Sequence, residues 1–226
     1  MVMQSVADDG VQVIIPGWTN QSTTPYTVAV ESSGGGTLGL AETPAGNGYL
    51  GWSLIPEDAI SNAFSPTTTD GYLTRIVAST GGPCGHLDFV LHTVGTNTNV
   101  VFGLYSGASF ATGPLAYTAD VHASLATGLN SIPWGTPSTV QLQAGQTYWI
   151  YMEITTSAAG TFAGSTASGA FAATIMNVNL TASASYADNS MVLATSAPST
   201  LTGSTVLTPQ TNWATQGSKI WFGLKA

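Results

Sequence analysis

The chain has 226 residues and a formal net charge of −8, and only 6% of its residues are charged, against roughly a quarter in ordinary globular domains. Its cations are Arg75, Lys219 and Lys225, too few to neutralise several phosphates of a nucleic acid. Its apolar runs stay well short of the about 18 residues that a membrane-spanning helix needs. We therefore expect no nucleic-acid binding and no membrane insertion, and the length suits one all-β domain.

The beginning of the chain predicts an extended N-terminal arm, residues 1–50. Residues 11–15 have the composition of a strand, and prolines and glycines then interrupt the chain repeatedly. Such an arm gains order by pairing with a neighbouring chain or by covering a sheet edge. A loosely packed strand pair of the main domain is an equally open alternative. Residues 1–10 have neither a basic nor an apolar leader pattern, so no secretion signal is expected.

Residues 51–226 predict a jelly-roll-like antiparallel β-sandwich, because β-branched and aromatic residues recur in short runs with turn residues between them. No segment shows the apolar period of an amphipathic helix. Residues 158–170 are almost wholly small and predict a loop or a flat edge, and 195–210 predict a second loop. Eight strands are predicted, at 71–79, 85–94, 99–105, 138–142, 146–155, 171–180, 191–194 and 218–224.

The predicted strand at 146–155 is apolar on both faces. It follows a tight turn at Ala144-Gly145, and Trp149 and Tyr151 alternate along it with Ile150 and Met152. A strand that is apolar on both sides belongs in the middle of a layered structure or at a subunit contact. We therefore expect core packing, rather than stacking on sugars, for Trp149 and Tyr151.

The strongest candidate for chemistry is a set of three residues, His86, Asp88 and His92, which share one face of a predicted strand. Two histidines and a carboxylate, with His122 as another possible histidine, resemble the iron site of non-haem oxygenases. Those enzymes hold the carboxylate of their co-substrate with a basic residue downstream, and the nearest here is the distant Lys219. We therefore expect a solvated polar sheet face and no metal.

Other reactive residue types do not assemble into a recognised catalytic motif. Asp120-Val121-His122 could orient a hydroxyl nucleophile, but no Gly-x-Ser-x-Gly elbow accompanies it. Glu57-Asp58 follows a proline and predicts the cap of a helical turn rather than a glycosidase pair. Cys84 lies in a glycine-rich turn without a neighbouring base, and as the one cysteine it forms no intrachain disulfide. We predict no catalytic residue, no cofactor and no metal.

Four tryptophans are candidate contacts for a carbohydrate or a partner protein, since an exposed aromatic ring beside Asn and Asp side chains suits a sugar. Convergence of at least two of them on one solvent-facing groove would favour carbohydrate binding. Separate burial would favour a purely structural role. The four are Trp18, Trp52, Trp134 and Trp213.

Residues 62–155 carry a series of short motifs in a familiar order. In this order they resemble the jelly-roll modules of tail, fibre and head-decoration proteins of tailed bacteriophages, and of some bacterial surface proteins. The resemblance implies a sandwich with a structural or adhesive role, and it transfers no catalytic residue. The motifs are Phe64-Ser65-Pro66, Gly71-Tyr72-Leu73, Val101-Phe102-Gly103-Leu104-Tyr105, Gly113-Pro114-Leu115, Trp134 and Val140-Gln141-Leu142-Gln143-Ala144-Gly145-Gln146-Thr147-Tyr148-Trp149-Ile150.

From this resemblance we expect a non-enzymatic virion structural protein, either a capsid decoration (auxiliary head) protein or a minor tail protein. The alternative is a carbohydrate-binding adhesin or receptor-binding module of a phage tail or a bacterial surface. The expected partners are other virion proteins and further copies of the chain, with a trimer favoured, and a host-surface glycan for the alternative. The expected location is the virion after assembly in the host cytoplasm, which suits a chain without disulfides.

Overall fold

The chain divides into two compact units, Met1–Ala41 and Glu42–Ala226. The computed structural model describes residues 2–4, 12–14, 43–54, 63–67, 70–107, 110, 112–156, 160–166, 191–194, 196–209 and 218–226. The first unit contains two antiparallel strands, β1 (Val2–Gln4) and β2 (Gln12–Ile14). The strand predicted at 11–15 is therefore confirmed. Residues 43–50, which the sequence analysis assigned to the arm, belong to the larger unit.

The larger unit is an antiparallel β-sandwich, as predicted, and its described residues include no α-helix. Two short 3-10 turns, Ala45–Asn47 and His122–Ser124, interrupt the strands. The strands are β3 (Tyr49–Trp52), β4 (Ala63–Phe64), β5 (Gly71–Val77), β6 (Gly82–Cys84), β7 (His86–Thr93), β8 (Asn97–Ser106), β9 (Ala116–Tyr117), β10 (Gly128–Pro133), β11 (Val140–Leu142), β12 (Thr147–Thr156), β13 (Thr161–Thr166), β14 (Met191–Ala194), β15 (Ser218–Ile220) and β16 (Phe222–Lys225).

Two sheets form the layers of the sandwich. In the first sheet, β7 lies between β10 and β16, and β3 pairs with the far side of β16. Near its end β7 also pairs with β13, which in turn pairs with β4 and β15. The second sheet has the strand order β14-β5-β12-β8-β9, and β6 and β11 form a small separate ribbon.

Phenylalanines from both sheets form the centre of the core. The ring of Phe89 in β7 lies 4.9 Å from Phe102 in β8, 5.6 Å from Phe162 and 6.2 Å from Phe222, measured between centroids. All four side chains are buried. Tilted and edge-to-face ring pairs at these distances are favourable beyond the apolar area that they bury. The four rings therefore connect the two sheets at their middle.

The two-faced strand predicted at 146–155 is confirmed as β12, the central strand of the second sheet between β5 and β8. Trp149 and Tyr151 on one face and Ile150 and Met152 on the other are all buried. The tight turn before it is also confirmed, since Gly145 has a left-handed φ of 76° and Gln146 N donates to the Gln143 carbonyl. Core packing is therefore the role of both aromatic residues.

A second apolar layer covers the outer face of the second sheet. Residues 196–209 lie over it, with the Tyr151 hydroxyl donating to the Pro198 carbonyl at 3.1 Å and the Tyr105 hydroxyl donating to the Thr205 carbonyl at 3.1 Å. Leu201 and Leu207 of this segment are buried. The predicted loop at 195–210 thus supplies core residues as well as a connection.

Two predictions about individual elements need correction, and one strand was not predicted. Residues 158–170 were predicted as a loop or flat edge, but residues 161–166 form β13 within the first sheet. Phe162 is buried in the core, and the small residues around it allow neighbouring strands to approach closely. Cys84 ends strand β6 and is buried, rather than lying in a turn. The sequence analysis also missed β10, whose Asn130 and Ile132 face inwards. The strand predicted at 171–180 lies outside the described residues.

In the described part of the chain, no helix has both the length and the apolar character needed to cross a membrane.

Candidate functional site

A groove of about 430 Å³ lies beside the second sheet, where four segments meet: β8, residues 117–120, residues 135–136 and the covering segment 196–209. This volume falls within the range of small-molecule sites, roughly 300–1,000 Å³. Its lining mixes apolar surface with hydroxyl, amide and carboxylate groups. The lining residues are Asn99, Val101, Tyr117, Thr118, Ala119, Asp120, Gly135, Thr136, Ser199, Thr200 and Leu201.

Asn99 ties the first strand of the groove to the covering segment. Its side-chain amide donates to the Ser199 carbonyl at 2.8 Å and to Oε2 of Glu153 at 3.3 Å. Asn99 and Val101 share one face of β8 because strand side chains alternate, and that face is the one covered by residues 196–209. The amide therefore holds two walls of the groove at a fixed separation.

Tyr117 is positioned by three backbone hydrogen bonds to one neighbouring segment, Gly135-Thr136. Its N–H donates to the Thr136 carbonyl at 3.0 Å, and its own carbonyl accepts from the N–H groups of Gly135 and Thr136 at 3.0 and 3.1 Å. The next residue, Thr118, accepts from Phe102 N at 3.0 Å through its hydroxyl. Tyr117 therefore presents a half-buried ring from a rigid segment rather than from a free loop.

Asp120 and His122 form a pair at the rim of the groove, as the sequence motif suggested. Asp120 Oδ1 accepts from the backbone N–H groups of Val100 at 2.9 Å and His122 at 3.0 Å, and Oδ2 lies 2.5 Å from His122 Nδ1. Burial acts to raise the pKa of this carboxyl, but the two N–H groups and the His122 ring hold the pKa below its usual value. Asp120 is therefore an ionised, fixed acceptor at neutral pH.

A second carboxyl, Glu153, lies against Asn99 with only 4% of its surface exposed. Burial raises the pKa of Glu153, opposed by hydrogen bonds from Thr155 and Asn99, and the nearby charge of Asp120 raises it further. The groove thus has acidic groups at its rim and beside Asn99, and its lining contains no Lys or Arg.

Several polar groups of the lining are open to a ligand. Within the described residues, the hydroxyls of Tyr117, Thr136, Ser199 and Thr200 have no hydrogen-bond partner. The described residues place no hydroxyl nucleophile on His122, because Ser124 Oγ donates to the Val121 carbonyl instead. The lining therefore offers hydrogen-bonding groups to a ligand.

The four predicted tryptophans do not meet at this groove in the described residues. Trp134 is 2% exposed, and its indole N–H points to the Cys84 sulfur at 3.5 Å, so it presents no ring to solvent. Trp52 is half-buried on β3 in the first sheet, next to Tyr49 at 6.2 Å between centroids. Trp18 and Trp213 lie outside the described residues.

The predicted polar face of β7 is not solvated at its middle. Asp88 is fully buried between β10 and β16, and its Oδ2 accepts from the Tyr49 hydroxyl at 2.9 Å. Tyr49 reaches it across Gly223, where any Cβ would meet the Tyr49 ring at 2.6 Å. His86 and His92 are half-buried. No group of three His, Cys, Asp or Glu side chains in the described residues could hold a metal ion.

Cys84 is the remaining reactive side chain within the described residues, and it is buried. Burial raises the pKa of the Cys84 thiol, which makes the thiolate less accessible, and Cys84 Sγ lies 3.7 Å from the His86 carbonyl. Glu57-Asp58 lies outside the described residues. The sequence analysis missed the groove because its residues come from four separate segments, each of which contributes only two to four residues, and only the fold brings those segments together.

Comparison with protein-family models, with curated proteins and with solved structures found no match to this chain.

Proposed function

We propose that this chain is a non-enzymatic structural protein of a bacteriophage particle, either a capsid decoration (auxiliary head) protein or a minor tail protein, with a jelly-roll-like sandwich. In this proposal the sandwich is the rigid body of the subunit. The separate N-terminal unit joins it to a neighbouring virion protein or to another copy of the chain. A homotrimer is the favoured assembly, because a closed symmetric ring satisfies every copy of such a contact.

The observation that carries the proposal is the separate unit Met1–Ala41. At about 40 residues, a unit needs a disulfide, a metal or association with another chain to be stable. Residues 1–41 contain no cysteine and no histidine, so neither a disulfide nor a typical zinc site is available. A two-stranded ribbon such as β1–β2 is marginal by itself in water. In this proposal, association with another chain stabilises the unit.

The low charge of the chain also supports a permanent assembly. Obligate interfaces are larger and more apolar than transient ones, and charged side chains are depleted at their centres. Only 14 of the 226 residues are Lys, Arg, Asp or Glu, counting three cations and eleven acids. We expect the assembly to depend weakly on salt, because screening acts on charges. Dissociation by moderate salt would argue for a few decisive ion pairs instead.

Light scattering on the full chain and on residues 42–226 tests the role of the first unit. The cut belongs after residue 41, because Tyr49 and Leu50 pack in the first sheet and their removal would damage the sandwich. We expect an oligomer for the full chain and a smaller species for 42–226. A full chain that stays monomeric at all concentrations would contradict self-assembly through this unit.

The location is tested separately, on particles purified from a culture that produces the chain. An antiserum should detect the chain in the particle fraction after density-gradient purification. Detection only in the soluble fraction, with known virion proteins of the same particles as a positive control, would overturn the virion proposal.

A second candidate function is a carbohydrate-binding adhesin or receptor-binding module of a phage tail or a bacterial surface. The groove beside the second sheet favours it, since apolar surface and unpaired hydroxyls line one concave site. Binding of the full chain to immobilised glycans tests this candidate. The two functions are compatible, because a virion protein can carry a receptor site.

A further inference from the structure

We infer that the groove lined by Asn99, Tyr117, Asp120, Thr136 and Ser199 binds a neutral carbohydrate, with the Tyr117 ring against one face of a sugar. This inference rests on the second proposed function, carbohydrate binding, and assigns it a site that contains none of the four tryptophans. In this groove an aromatic ring, unpaired hydroxyls and a fixed carboxylate share one concave surface.

The two kinds of surface in the groove match the two kinds of surface on a sugar. A pyranose has apolar C–H faces and a belt of hydroxyls that both donate and accept hydrogen bonds. Val101, Leu201 and the Tyr117 ring supply apolar contact. The Asp120 carboxylate accepts from sugar hydroxyls, and the hydroxyls of Thr136 and Ser199 either donate or accept.

Charge selects a neutral sugar over an acidic one. Asp120 is ionised at neutral pH and Glu153 lies close to it, while the lining contains no cation. An acidic sugar would bring its carboxylate close to that of Asp120 in a partly enclosed space, where like charges repel more strongly than in water. A sugar without a carboxylate avoids this repulsion and still offers donors to Asp120.

The walls of the groove are held before any ligand arrives. Backbone bonds fix Tyr117 to Thr136, the Asn99 amide fixes β8 to Ser199, and two N–H groups fix Asp120. A preorganised site loses little conformational entropy on binding. Each of these ties lies in the protein alone, so the groove does not depend on a ligand for its shape.

The test begins with the full chain on a printed array of neutral and acidic glycans. The best neutral ligand is then titrated by saturation-transfer difference NMR against the wild type, Tyr117→Ala, Tyr117→Phe and Thr136→Val. We expect Tyr117→Ala to weaken binding at least tenfold and Thr136→Val to weaken it severalfold. Tyr117→Phe keeps the ring and should retain most of the affinity. Leu129→Ala, on the exposed side of β10, is the control and should bind like the wild type.

Each outcome decides the inference. The assignment to this groove would be overturned if the folded variants bind the glycan as tightly as the wild type does, while carbohydrate binding itself would stand. The variants are Tyr117→Phe, Tyr117→Ala and Thr136→Val. Preference for acidic glycans would overturn the ligand class. Absence of binding to every glycan would overturn both the inference and the second proposed function. The virion proposal is tested independently, by detection of the chain in purified particles. If Tyr117→Ala fails to fold, Thr136→Val decides, since its side chain is exposed and nearly isosteric.

Discussion

Truncation of Phe89 to alanine should remove the contact that joins the two sheets at their centre. Phe89 is fully buried, and its ring packs against three other phenylalanines, of which Phe102 at 4.9 Å belongs to the opposite sheet. Truncating a buried phenylalanine to alanine costs about 3–5 kcal/mol, from lost transfer free energy and the cavity that remains. We expect about 4 kcal/mol here, because close packing on several sides limits collapse into the cavity.

Urea unfolding of the full chain, followed by both intrinsic fluorescence and circular dichroism, measures this loss. With a slope of about 2 kcal/mol/M, the midpoint of Phe89→Ala should fall by about 2 M. Leu129→Ala is the matched control, because Leu129 is 61% exposed on β10, which pairs with the strand of Phe89. This substitution should change the free energy of unfolding by less than about 0.5 kcal/mol. A loss below about 1 kcal/mol for Phe89→Ala would refute the central place given to the phenylalanine cluster. If Phe89→Ala does not fold, Phe89→Leu should show a smaller loss of the same kind.

Three further predictions concern backbone conformation, buried chemistry and pH. Gly113→Ala should destabilise the chain more than Gly145→Ala. Both glycines have a left-handed φ, near 79° and 76°, which costs an alanine about 1–2 kcal/mol. At Gly113 the new Cβ would also collide with the backbone of the covering segment, whereas at Gly145 it would meet nothing. Equal urea midpoints for the two variants would contradict that collision. Native Cys84 should react with a thiol reagent only as fast as the protein unfolds, because the thiol is buried; rapid labelling without loss of structure would disprove this. Glu153→Gln should gain stability relative to the wild type as pH rises through the weakly acidic range, because the raised folded-state pKa of Glu153 makes the wild type less stable with rising pH. Asp120→Asn should be less stable than the wild type at neutral pH, and this difference should disappear as pH falls through the lowered pKa of Asp120. Urea midpoints that follow the same pH dependence in both variants would exclude these assignments.

Local pattern was sufficient to predict the strands with strong alternation or strong apolar content. Residues 146–155 predicted a central strand because both faces of this strand are apolar, and β12 lies in the middle of the second sheet. The acidic residue and the histidine of Asp120-Val121-His122 are near neighbours in sequence, so their contact was also predictable. In each case the pattern that carries the prediction lies within a few residues along the chain.

Local pattern failed where a residue owes its role to a distant neighbour. Residues 161–166 look like a loop by composition, yet small residues are what allow β13 to approach its neighbours closely, as at Gly164, where an added Cβ would collide with the Lys219 carbonyl. Asp88 looks like a solvated residue, and it is buried because Tyr49 reaches it from another strand. No sequence window contains either pair.

By itself, then, the sequence determined the all-β class, the scarcity of charge and the strands whose two faces are both apolar, because these depend on composition and on alternation every two residues. The tertiary structure alone decided which polar residues are buried and which line a groove. Asn99, Tyr117, Asp120, Thr136 and Ser199 meet only because β8 pairs with β9, Tyr117 pairs with Thr136, and the Asn99 amide bonds to the Ser199 carbonyl. Strand pairing and packing bring these segments together, and no short stretch of the chain contains all the residues that make those contacts.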